Sequence, residues 1–240
     1  MKDSVIPITL IEYAYRHRAL DILQLYWLLQ DKEFLLDHIT KKQLVKKLKI
    51  SETTLSRRIV KLKKLHFIQR SAKENYYQIT PPSHILSKKE LKRKGKLLWD
   101  KRYRIHDFKI ITITALLYQQ AFIREVQQRE PEKFPKYRQR HYTKNEKQCW
   151  VLRKHAFKIP VNYFTSYLGI SLTQYYRYRK QALKCNILSF QANYKPLSLS
   201  PEKAQVLKAY DPKTPFFIQK DGTQYIQEKT TTNFNLIISL

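Results

Sequence analysis

TKKQLVKKLKISETTLSRRIVKLKKLHFIQRSAKENYYQIT, residues 40–80, carries two helical patterns, a tight turn between them and a pair of strand patterns. Leu44 and Leu48 stand four apart, on one face of a helix. Ile50 plugs the turn. Ser51 has the chemistry of an N-cap, since its hydroxyl can accept one of the unpaired amide protons that open the next helix. In that helix Leu55, Ile59 and Leu62 recur at i, i+4 and i+7, an apolar stripe able to pack on the helix before it. The opposite face is polar and mostly cationic, with Thr53, Thr54, Arg57, Arg58, Lys61 and Lys64. Phe67–Arg70, a polar turn over 71–75 and Tyr76–Ile79 then read as strand, turn, strand.

In that order the elements resemble the winged helix-turn-helix superfamily. The resemblance implies that the second helix enters the major groove of DNA. Ser51, Thr53, Thr54, Arg57, Arg58, Lys61 and Lys64 are then the expected contacts on the helix, with Arg70 and Lys73 on the wing.

The composition points the same way. Among 240 residues, 47 Lys and Arg face 19 Asp and Glu, a net charge of +28. So large an excess of one sign repels itself on compaction and favours a polyanionic partner, here double-stranded DNA. Cys149 and Cys185 form no CxxC pair, so neither a disulfide framework nor a zinc cluster is expected, and a reducing cytoplasm, with the chain on the nucleoid, fits. The N-terminal apolar run is broken by Pro7 and Glu12, and no apolar stretch is long enough to span a bilayer, so no membrane partner is expected. Three glycines leave little room for glycine-rich phosphate loops.

Upstream of the motif, residues 1–17 read as an arm or a short strand and helix. Residues 18–32 read as a helix with Leu20, Leu23, Trp27 and Leu28 on its apolar face, and Thr40 is a candidate cap for the next one. Downstream, Pro81-Pro82 stops regular structure. Ser83–Lys96 is intensely basic, and Lys92, Arg93 and Lys94 are expected on phosphates, which ask only for positive charge and reach. Residues 97–129 read as one long helix or two shorter ones despite the β-branched run Ile110–Thr114, because Ala115–Gln128 holds strong helix formers. That helix suits either a connector between two halves or a homodimer surface.

The second half repeats the first. At a constant offset of 120 residues, Ile159, Phe164, Leu168, Ile170, Ser171, Tyr175, Ala182, Cys185 and Leu188 fall on Ile39, Leu44, Leu48, Ile50, Ser51, Leu55, Leu62, Leu65 and Ile68. One core position departs: Arg179 takes the place of Ile59. Either its stem snorkels past the core edge, or the helix is rotated so that Tyr178 and Leu183 share the packing. A second winged helix-turn-helix is therefore expected, with a first helix over Thr143–His155 and a recognition helix over Leu172–Asn186. Ser171, Thr173, Gln174, Tyr176, Arg177, Gln181 and Lys184 are its expected DNA contacts. Past Leu188 a strand over 189–194, a helix over 200–210, a hairpin around Asp221-Gly222 and a closing strand over 234–238 are expected.

The expected fold class is α+β, mainly α with small β wings. Domains are expected over 1–82 and 142–240, joined by a basic linker and helix over 83–141. No catalytic constellation is legible: the acids are scattered, and HExxH, Walker A and tyrosine-recombinase patterns are all missing from the sequence. No enzyme activity, cofactor or metal is expected. Arg57, Arg58, Thr53 and Thr54 in one copy, and Gln174, Arg177 and Thr173 in the other, are expected to read base edges, Arg suiting guanine and Gln adenine. A transcriptional regulator is the leading role. Plasmid and phage initiators of the Rep type are similar in joining two winged-helix domains by a helix, and an architectural nucleoprotein component is the third alternative.

Overall fold

Pro7 ends strand β1 (Val5–Pro7) and begins helix α1 (Ile8–Arg16), the first elements of a computed structural model. The structure describes residues 5–29, 34–35, 38–70, 76–91, 95–100, 102–129, 142–144, 150–152, 156–191, 194–196, 217–220, 223–227 and 231–239. It is an α+β arrangement of helices with small antiparallel sheets. The chain divides into two compact units, residues 1–153 with 236–240, and residues 154–235.

In the first unit α2 (Leu20–Leu29), α3 (His38–Leu48) and α4 (Glu52–Lys64) pack together, α4 lying against both of the others. Helix α3 starts two residues before Thr40, which therefore lies inside the helix and not at its N-cap position. Strands β2 (Phe34–Leu35), β3 (Ile68–Arg70) and β4 (Tyr76–Ile79) make an antiparallel sheet in the order β2-β4-β3. Phe67 and Tyr26 hold this sheet to the helices with ring centroids 4.9 Å apart, and the buried Tyr26 hydroxyl donates to Thr80 O at 2.7 Å. The basic stretch after Pro81 begins as α5 (Pro82–Lys88) and leads into strand β5 (Lys96–Leu98). Helix α6 (Phe108–Arg129) follows, and it is buried on almost every side from Ile110 to Phe122. The β-branched run is tolerated there because Thr112 and Thr114 donate back to Phe108 O and Ile110 O, each at 2.8 Å, so no buried hydroxyl is orphaned. Rather than a bare connector, α6 packs on α1 and α2 as the core of this unit.

The expected helix over Thr143–His155 is not formed. Strands β6 (Tyr142–Lys144) and β7 (Trp150–Leu152) stand there, paired with each other. The apolar triplet Trp150-Val151-Leu152 has no 3.6-residue continuation, and its β-branched and aromatic members suit a strand.

In the second unit β8 (Ala156–Phe157) leads into α7 (Val161–Leu168) and α8 (Leu172–Lys184), followed by β9 (Leu188–Gln191). Strands β10 (Tyr194–Pro196), β11 (Phe217–Lys220) and β12 (Thr223–Gln227) form a small sheet, with the expected hairpin joining the last two. The expected helix over 200–210 lies outside the described residues. The closing strand is two strands: β13 (Thr231–Phe234), which pairs with β8 and β9, and β14 (Ile237–Ser239), which belongs to the first unit. There β14 sits in the middle of a five-stranded sheet of order β1-β5-β14-β7-β6.

Candidate nucleic-acid interface

Ser51 and Ser171 adopt the same extended backbone (φ −74°, ψ 158° and φ −68°, ψ 157°), and each accepts from the amide three residues on, Thr54 N and Gln174 N at 3.2 Å. The turns before them match as well. Lys49 and Gly169 are left-handed (φ 53° and 62°), and Ile50 N and Ile170 N donate to Val45 O and Thr165 O. At the far ends of α4 and α8, Leu65 and Cys185 share φ near −82°, and His66 and Asn186 are left-handed (φ 59° and 55°). Phe67 N then reaches Leu62 O, as Ile187 N reaches Ala182 O. The sheets correspond too. Ile68 faces Ile79 as Leu188 faces Phe234, and the next amides, Thr80 N and Asn235 N, donate to Phe67 O and Ile187 O, both at 3.0 Å. The counterpart of β4 is thus β13, and residues 192–230 lie between the paired strands where the first unit has only residues 71–75. Sequence reading missed this because the partner strand is so distant in the chain.

The two second helices bury Leu55, Ile59 and Leu62 in one case and Tyr175 and Ala182 in the other. Tyr175 stacks on Phe164 with planes 19° apart, and burial raises its phenol pKa, against a smaller lowering by Arg179. Of the alternatives for Arg179 the first holds. Its guanidinium carbon lies 3.6 Å from the centroid of the Phe190 ring, a cation–π contact at the core edge, while Leu183 is exposed.

No family model matches the chain, and no similar curated protein or solved structure was found.

On α4, Thr53, Arg57, Lys61 and Lys64 are exposed together on the side away from the core. Lys61 Nζ also reaches Arg18 O at 3.5 Å. Ser51 and Thr54 are engaged in the cap, their hydroxyl oxygens 2.9 Å apart. Arg58 is not part of the outward face. Its side chain is 16% exposed, and Nε lies 3.2 Å from Asp21 Oδ2 of α2, an ion pair without a hydrogen bond. Lys63, which the sequence reading passed over, donates to the Tyr77 hydroxyl at 2.6 Å and ties the helix to β4. On α8, Thr173, Tyr176, Arg177, Gln181 and Lys184 are exposed together. Gln174 closes a capping box, its Oε1 accepting from Ser171 N at 3.2 Å, so that oxygen is committed to the fold. Lys180, also missed, is exposed on the same side; helical spacing from Arg177 and Lys184 would have found it. The Arg70 backbone lies in β3, but its side chain, with Lys73, Lys92, Arg93 and Lys94, lies outside the described residues.

Among the described residues no three His, Cys, Asp or Glu side chains gather as a metal site, and no helix is long and apolar enough to cross a membrane.

Proposed function

We propose that the chain is a sequence-specific double-stranded DNA-binding protein built on two winged helix-turn-helix modules, with α4 and α8 as the recognition helices. The observation that carries the reading is the recurrence of one helix–turn–helix–sheet geometry, with matching backbone bonds at the turn, the serine cap and the sheet, each time with a cationic outer face on the second helix. A net charge of +28 supplies the affinity for a polyphosphate through counterion release. Thr53 and Arg57 on α4, and Thr173 and Arg177 on α8, read base edges; Arg58 supports the helix from beneath. Because the two faces differ in sequence, the preferred site is asymmetric. Transcriptional regulation is the leading role. The tandem modules also suit a replication initiator, and footprints on iterated repeats rather than on a promoter would favour it.

Selecting bound sequences from a random duplex pool tests the reading. A preferred site should emerge, and Arg57→Ala and Arg177→Ala should each weaken binding to it by roughly 1–3 kcal/mol while relaxing the preference at separate positions. Equal losses on unrelated DNA would instead mark a charge-driven architectural protein.

A further inference from the structure

We infer that α8 recognises thymine through the 5-methyl group, with Leu172 and Tyr176 as the reading side chains, so that the second module's half of the site is rich in A·T pairs. The inference rests on the DNA-binding reading above and adds what the second helix selects.

Among the described residues five large apolar side chains are exposed, Val60, Leu172, Tyr176, Leu183 and Ile237, and four of these stand on α4 or α8. Val60 stands alone on α4 at 53%, whereas α8 carries three, Leu172 at 54%, Tyr176 at 47% and Leu183 at 42%. Leu172 and Tyr176 lie in the first two turns, and in a helix docked in the major groove it is the N-terminal residues that meet base edges. Core burial does not account for Leu172. As the first residue of the helix it occupies a position where an acidic side chain would complement the helix dipole, and α4 has Glu52 at the matching place, whereas the first turn of α8 has no acid. At the place of Tyr176, α4 has Ser56. The second copy therefore exposes leucine and tyrosine where the first exposes glutamate and serine.

Charge decides what covers these side chains. Arg177, Lys180 and Lys184 are exposed on the same helix, and Arg179 lies 5.8 Å from the Tyr176 ring. An apolar strip beside cations suits a polyanion that carries apolar groups at the depth of the helix. In the major groove of DNA the thymine methyl is the apolar group presented by the bases.

The test changes the DNA and leaves the protein whole. A duplex bearing the selected site is compared with one in which deoxyuridine replaces thymidine throughout the half whose preference Arg177→Ala relaxes. Base pairing is retained and only methyl groups are lost. The wild-type chain should bind the uracil duplex about fourfold more weakly for each methyl contacted, the factor expected for one buried methylene-sized group. Leu172→Ser and Tyr176→Ser, both at exposed positions, should each bind the thymine duplex more weakly and lose part of the discrimination. Equal binding of thymine and uracil duplexes by the wild type overturns the methyl reading while site-specific binding stands. A pool that yields no preferred site overturns both. If Leu172→Ser turns a dimer into a monomer and leaves DNA affinity unchanged, the strip is a contact between copies and the inference falls.

Discussion

Arg57 leaves its side chain in solvent, while Arg58, one residue on, turns towards Asp21 of α2. A helix advances 100° per residue, so neighbours in the chain need not share a task. Arg58→Ala should lower the stability of the first unit by about 1 kcal/mol, through a half-buried ion pair and the packing of its stem. Arg57→Ala should leave stability unchanged and weaken DNA binding. Urea denaturation and binding titrations on both variants check this, and equal stability losses would refute the division of labour. Tyr175 offers a pH test. Burial raises its pKa in the fold, whereas the unfolded chain releases the proton near the ordinary tyrosine value of about 10. Its contribution is therefore complete below about pH 10 and is lost as pH rises through the higher folded value. Thermal melts at pH 8 and pH 10.5 should show Tyr175→Phe less sensitive to alkali than wild type; parallel losses would mean that the phenol does not contribute.

At the scale of elements, the turns into α4 and α8 differ chiefly in the residue that takes the left-handed position. Gly169 stands there at φ 62°, with nothing within 4 Å of where a Cβ would project, and Lys49 stands at φ 53° in the first copy. The cost to a side-chain-bearing residue is thus conformational, not steric crowding by neighbours. Gly169→Ala should destabilise the second unit by about 1 kcal/mol, and Lys49→Gly should stabilise the first by up to about the same amount. Chemical denaturation of each variant checks the pair, and a stabilising Gly169→Ala would contradict the geometry. The pairing of these helices was legible in the sequence because both carry a serine cap and a hydrophobic plug, and the i, i+4, i+7 stripe of α4 is kept on α8 at Tyr175 and Ala182. Arg179 was ambiguous, since the ring that receives it, Phe190, sits on a strand whose register no local pattern fixes. Thr143–His155 was misread because three apolar residues define no period.

For the molecule as a whole, the second unit is inserted in the first. The chain leaves after β7 and returns for β14, which pairs with β5 and meets β7 at Ser239–Val151. An offset of 120 residues identifies repeated helices, but it is blind to a three-residue strand contributed from the far end of the chain. The sequence placed the apolar terminus as a closing strand and could not say which sheet it closes. That placement has a measurable consequence. Leu236 and Ile238 are both fully buried, and at about 1.5–3 kcal/mol for each buried aliphatic side chain, removing residues 236–240 should cost the first unit roughly 3–6 kcal/mol, an upper estimate because the unfolded chain also hides some apolar surface. It would also open the facing edges of β5 and β7 to aggregation. A milder probe is Gly95→Ala. Gly95 sits at φ 114°, and a Cβ there would lie 2.8 Å from Ser239 O, so backbone strain and a clash with β14 act together, at about 1–3 kcal/mol. Hydrogen exchange should locate both losses in the sheet of the first unit and leave amides of α7 and α8 protected as in the wild type. If the truncated chain kept full protection across β5, the terminal strand would not be part of that sheet.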